Sequence, residues 1–88
     1  MVQNLVGKKG EMIMRIISKL GDVDISYERS AIVADCYGCI EVYSSQIHGK
    51  RIGKYNDREE ALDIMQQIRD AYRNGVSIFK MPNAKEEE

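Results

Sequence analysis

The segment from Tyr55 to Gly75 constrains the fold most, because it predicts one amphipathic helix together with both of its ends. Asp57 is a preferred N-cap residue, and Glu60, three positions later, completes a D-x-x-E capping box. Asn74-Gly75 predicts the C-terminal end, since glycine adopts the left-handed conformation without a Cβ clash. Between these signals, apolar residues recur at helical spacing on one face: Ala61, Ile64, Met65, Ile68, Ala71 and Tyr72. We therefore predict a helix over about 57–74.

Short apolar segments on both sides of this helix predict β-strands. Val23, Ile25 and Tyr27 alternate with polar residues, as in a half-buried strand. Ile40 and Val42 likewise share one face of a predicted strand. Further strands are predicted within 12–19, 31–35, 50–55 and 76–81. The fold class that follows is α+β: an antiparallel sheet of about four to six short strands, in an undetermined order, covered on one face by the single helix.

The length of the chain limits how it is organised. With 88 residues there is room for one domain and one modest core, burying roughly 60–65% of the surface that the unfolded chain exposes. We expect this domain over 12–82, a flexible leader at 1–11 and a disordered acidic tail at 83–88. Because so small a core gives limited stability, we also expect a homo-oligomer.

Composition excludes several classes of protein. Lys and Arg number 13 against 14 for Asp and Glu, which argues against a protein that coats long nucleic acid. No segment reaches the roughly 18 consecutive apolar residues of a membrane span. With two cysteines and no recognisable export signal, the chain is expected in a reducing cytoplasm.

Cys36 and Cys39 form a C-x-x-C motif, which has three interpretations. A thioredoxin-type pair needs a helix that begins at the motif, whereas strands are predicted on both sides here. A zinc site needs about four ligands, and only His48 is available in addition unless subunits share the site. We favour structural cysteines of a hairpin turn, with a shared metal or a redox pair as alternatives.

The segment from His48 to Arg58 is the best candidate for a binding site. Its four cations fall within nine residues around the predicted helix N-terminus, where unpaired N–H groups favour anions. Arginine recognises phosphate in a bidentate manner, and tyrosine stacks on bases. Asp57 and Glu60, however, place negative charge at the same point. The alternatives are a solvated edge strand, whose lysines prevent pairing with another chain, and a protein-binding face. The candidate ligand-binding residues are Tyr43, His48, Lys50, Arg51, Lys54, Tyr55 and Arg58.

Catalysis has no comparable support in the sequence. No nucleophile, metal-ligand set or pair of carboxylates has the spacing that an active site requires. We therefore expect a non-enzymatic protein without a cofactor, a metal or catalytic residues.

Four segments carry a resemblance to known proteins: M-R-I-I-S-K-L-G-D-V-D-I-S-Y-E at 14–28, I-G-K-Y-N-D-R-E-E-A at 52–61, A-Y at 71–72 and F-K-M-P at 79–82. Over about residues 14–82 the chain resembles a group of short proteins from phages and prophages of Gram-positive bacteria. The shared motifs are structural, so the resemblance implies a fold and an origin but assigns no catalytic residue. A phage origin implies a binding protein in the host bacterial cytoplasm, since several small phage proteins sequester nucleotide immune signals as oligomeric sponges.

Two functional hypotheses follow. The first is an oligomer that captures a small anionic nucleotide in a pocket between subunits, as a counter-defence protein would. The alternative is a protein-interaction module that binds and inhibits a host protein through a strand edge or the helix.

Overall fold

A computed structural model of the protein describes residues 13–85. Six short strands and one α-helix follow one another along this part of the chain. In order they are β1 (Arg15–Ile17), β2 (Asp24–Ser26), a 3-10 turn (Tyr27–Arg29), β3 (Ala31–Ala34), β4 (Cys39–Tyr43), β5 (Lys50–Lys54), α1 (Arg58–Arg73) and β6 (Ile78–Lys80). The predicted α+β class with a single helix is confirmed, and the strand number falls within the predicted range.

The strands form two sheets instead of the single antiparallel sheet that was predicted. In the first sheet the order is β2-β1-β6, in the second β3-β4-β5. β1 pairs with β2 in antiparallel orientation. It pairs with β6 in parallel orientation, because the chain between the strands brings the start of β6 back beside the start of β1. The second sheet is an antiparallel meander.

A bulge in β5 brings the two sheets together. Ile40 pairs with Gly53 and Glu41 with Arg51, so Ile52 is an extra residue on β5. The carbonyl oxygen of Ile52 accepts a hydrogen bond from the backbone N–H of Lys19, just past β1, at 3.1 Å. The end of β1 therefore lies against β5, although the two strands are far apart in sequence.

The helix matches its sequence prediction closely. The carboxylate of Asp57 accepts a hydrogen bond from the backbone N–H of Glu60 at 2.8 Å, and Asn74 forms the C-cap. The buried residues of the helix belong to the predicted apolar face: Ala61, Ile64 and Ile68. This face packs on β3 and β4 and closes a core in which the largest fully buried side chains are Tyr55, Met14, Ile16, Ile40, Ile52, Ile68 and Val42.

The segment after β6 is held in place as far as Lys85. The hydroxyl of Tyr55 donates to the carbonyl of Pro82 at 2.7 Å. Ala84 packs against the core, and the backbone N–H of Lys85 donates to the carboxylate of Glu60 at 2.6 Å. The first part of the predicted tail thus contacts the domain, while 86–88 and the predicted leader at 1–11 lie outside the described residues. In the part of the chain that the structure describes, no helix is long and apolar enough to cross a membrane.

Candidate functional site

Two segments distant in sequence face each other across a groove of about 390 Å³. One is the turn after β1, and the other is the edge strand β5 with its bulge. The hydrogen bond from Lys19 to Ile52 fixes the two walls against each other. We call this feature the cationic groove; its lining residues are Ser18, Lys19, Leu20, Asp22, Lys50, Arg51, Ile52, Gly53 and Lys54.

The wall formed by the β1–β2 turn is built around a buried serine. The Ser18 hydroxyl accepts hydrogen bonds from the backbone N–H groups of Asp22 and Val23 and donates to the carboxylate of Asp22 at 2.8 Å. This arrangement closes the turn and keeps the Asp22 carboxylate bound to a neutral partner. Leu20 lies at the tip of the turn with 86% of its surface exposed, so it offers an apolar contact to whatever enters the groove.

The groove is positively charged. Lys19, Lys50, Arg51 and Lys54 line it together with the single carboxylate of Asp22. Within residues 13–85 the ion pairs are Arg15–Asp24 and Arg73–Asp70, so none of these four cations takes part in one. Charge of one sign concentrated in a cleft attracts anions, and it favours phosphate in particular because ammonium and guanidinium groups donate charge-assisted hydrogen bonds.

Asp35 lies close enough to Arg51 and Lys54 to feel their charge. Its carboxylate caps the β3–β4 turn by accepting hydrogen bonds from the backbone N–H groups of Cys39 and Tyr37, at 3.0 and 2.8 Å. These bonds lower the pKa of Asp35, and the positive charges of Arg51 and Lys54 lower it further. Asp35 is therefore ionised at neutral pH and partly offsets the charge of those two cations.

A second recess of about 490 Å³ adjoins the cationic groove and shares Asp22 and Lys50 with it. Asp24, Gln46 and His48 add polar groups to its lining. A carboxylate, an amide and an imidazole can each hydrogen-bond the edge of a base or the hydroxyls of a sugar. The two depressions together thus offer a cationic end and an end of mixed polar groups.

The structure places the predicted site residues in different surroundings. Lys50, Arg51 and Lys54 lie together in the groove, and His48 lies in the adjoining recess. Tyr43 is 40% exposed and packs against Gly49, but it lines neither depression. Arg58, the first residue of the helix, is exposed and does not line the groove.

Tyr55 does not belong to the candidate site. Its side chain is 1% exposed, and its hydroxyl is bonded to Pro82. Burial also raises the pKa of Tyr55 to about 12. The interpretation of Tyr55 as a base-stacking residue is therefore wrong, because the chain turns inward between β5 and the helix.

The helix N-terminus is not an anion site either. Asp57 and Glu60 form a variant of the predicted capping box: Asp57 accepts from the backbone N–H of Glu60 as expected, but Glu60 accepts from the backbone N–H of Asn56, at 2.9 Å, instead of that of Asp57. The hydrogen bonds that the backbone N–H groups of Asn56 and Lys85 donate to its carboxylate lower the pKa of Glu60. The depression at this end is lined by four carboxylates, those of Asp57, Glu59, Glu60 and Asp63. An incoming phosphate would meet like charge here.

The C-x-x-C motif forms the β3–β4 turn, as the hairpin interpretation predicts. Gly38 has φ of +90°, and its carbonyl accepts from the backbone N–H of Tyr55 at 2.8 Å. Cys36 is exposed, Cys39 is buried, and neither is in a disulfide. A strand, not a helix, follows the motif, which removes the helix N-terminus that would activate a redox thiol. Among the described residues, no group of three or more His, Cys, Asp or Glu side chains is placed to hold a metal.

Sequence reasoning missed Lys19, Leu20 and Asp22. The Gly21-Asp22 turn was visible in the sequence, but nothing local showed that it meets β5.

Comparison with known proteins adds no assignment to this geometry. No protein-family model matches the chain, and no match was found among curated proteins or solved structures.

Proposed function

We propose that this protein is a non-enzymatic binding protein that captures a small anionic ligand in the cationic groove. The observation that carries the proposal is the meeting of four basic side chains, from two separate segments, with no ion-pair partner among the described residues. A cluster of this kind is unfavourable without a counter-anion, and a bound phosphate would relieve the repulsion.

A nucleotide is the ligand class that suits the site best. Its phosphate would lie among Lys19, Arg51 and Lys54, and its base or sugar would reach the adjoining recess beside His48. Leu20, which lines the groove itself, would supply an apolar contact to the part of the nucleotide nearest the phosphate. The whole groove is formed within one chain, so capture does not require the pocket between subunits that was expected from the sequence.

The biological role that we propose is sequestration of a nucleotide immune signal in the cytoplasm of a host bacterium. This role rests on the resemblance to short phage and prophage proteins. The absence of a catalytic constellation in the sequence favours binding over turnover.

Calorimetric titration of the protein with cyclic di- and oligonucleotides tests the proposal. Arg51→Ala should weaken binding by about five- to tenfold, since an exposed charge-assisted hydrogen bond contributes about 1–1.5 kcal/mol. Arg58→Ala is the matched control: it removes the same charge from a residue that does not line the groove and should change the affinity by less than about twofold.

Two results would contradict the proposal. One is the absence of binding by any nucleotide, and the other is an equal effect of the Arg51 and Arg58 substitutions. If no ligand binds and one host protein is instead retained from lysate in stoichiometric amount, the alternative of a host-protein inhibitor becomes the better account.

A further inference from the structure

The two sheets expose four edge strands among residues 13–85, and one of them differs from the rest. β2 carries Asp24, β6 carries Lys80, and β5 carries three cations. β3, with the sequence Ala-Ile-Val-Ala, has neither a charge nor a proline. Charged residues and prolines are the usual means by which edge strands avoid pairing with another chain. β3 is thus the one described edge without such protection.

We propose that β3 is a self-association edge, at which two copies of the chain pair in antiparallel orientation. The two β3-β4-β5 sheets would then join into one sheet of six strands. On the outer face, Val33 is 44% and Tyr43 is 40% exposed, and Ala31 pairs with Tyr43 across the strands. A second copy would pair the free backbone groups of the edge, and its own Ala31 and Val33 would lie beside those of the first copy on the same face.

Charge at the two ends of β3 favours a second copy as the occupant. Arg29 precedes the strand and Asp35 follows it, and both side chains lie near its ends. A two-fold axis at Ile32 places Ala31 opposite Val33 of the second copy and brings Arg29 towards Asp35 of the second copy. Self-pairing of β5, by contrast, would bring Lys50, Arg51 and Lys54 against their own copies.

Dimerisation through β3 does not depend on the proposed ligand. β5 lies at the opposite edge of the same sheet, so pairing through β3 leaves the cationic groove open in both copies.

Light scattering of the full chain over a concentration series tests the proposal. The wild type should show the mass of two copies, decreasing towards one on dilution. Val33→Lys should weaken dimerisation by roughly tenfold or more, since it places like charges near the two-fold axis. Val76→Lys is the matched control, because Val76 is similarly exposed, at 40% against 44% for Val33, but lies in the loop before β6; this substitution should leave the mass unchanged.

A mixing experiment separates loss of the interface from loss of folding. Val33→Lys and Val33→Glu should each be monomeric alone but should form a heterodimer when mixed in equal amounts. A one-copy mass of the wild type at every concentration would overturn the proposal. So would a dimer that survives Val33→Lys, or failure of the mixture to recover the two-copy mass.

Discussion

Replacement of Gly38 by alanine is expected to lower the free energy of unfolding by about 2–5 kcal/mol. Two costs make up this value. Gly38 has φ of +90°, where an L-residue is strained by about 1–2 kcal/mol. In addition, a Cβ at this position would lie 2.6 Å from the carbonyl oxygen of Tyr55 and 2.9 Å from that of Asp57. These are backbone atoms that cannot rotate aside, so the hairpin must shift away from the helix at a cost of about 1–3 kcal/mol.

Gly75→Ala is the matched control. Gly75 also has a positive φ, of 81°, but nothing lies within 4 Å of a Cβ at that position. The Gly75→Ala variant should therefore be destabilised only by the strain of its positive φ, about 1–2 kcal/mol. Urea denaturation of both variants, extrapolated linearly to water, gives the difference directly. Equal destabilisation of the two variants would show that the β3–β4 turn is not packed against the start of the helix as described.

Two further predictions concern pH. The folded-state pKa of Tyr55 is raised from 10.0 to about 12, so the wild type should lose stability as pH rises through this interval. Tyr55→Phe has no hydroxyl to ionise and should lose less stability over the same interval. If the free energies of unfolding of the two proteins fell in parallel with rising pH, the burial of the Tyr55 hydroxyl would be contradicted. Glu60 has a lowered pKa, so its contribution is present above 4.5 and declines as pH falls below that value. Glu60→Gln should accordingly destabilise the protein most near neutral pH and least in acid, as measured by thermal unfolding. A loss of stability that is the same at every pH would refute the role of this carboxylate in holding Asn56 and Lys85.

Local signals in the sequence predicted those parts of the fold that local chemistry decides. The capping box of Asp57 and Glu60, the apolar face of the helix and the turn at Gly38 each depend on residues within a few positions of one another. Their energetics are contained in the segment itself, so the sequence pattern was sufficient to identify them.

Pairing between distant segments could not be predicted from the sequence, because its energetics are not contained in either segment alone. Nothing near Ile16 indicates that it will lie beside Phe79 in a parallel pair, and nothing near Lys19 indicates contact with Ile52. Both the division into two sheets and the cationic groove follow from these long-range pairings. Tyr55 was misassigned because its position after an exposed strand resembles a surface site, while its burial depends on how the chain turns into the helix.

An amide-resolved nuclear magnetic resonance titration shows where on the protein an anionic ligand binds. Inorganic pyrophosphate and a cyclic dinucleotide would be added separately to the isotopically labelled protein. If the ligand binds in the cationic groove, the largest shift changes will fall on residues 18–22 and 50–54, which form its two walls, and residues 56–60 at the acidic helix start will change little. Changes centred on 56–60, or no saturable change anywhere, would contradict this placement of the ligand.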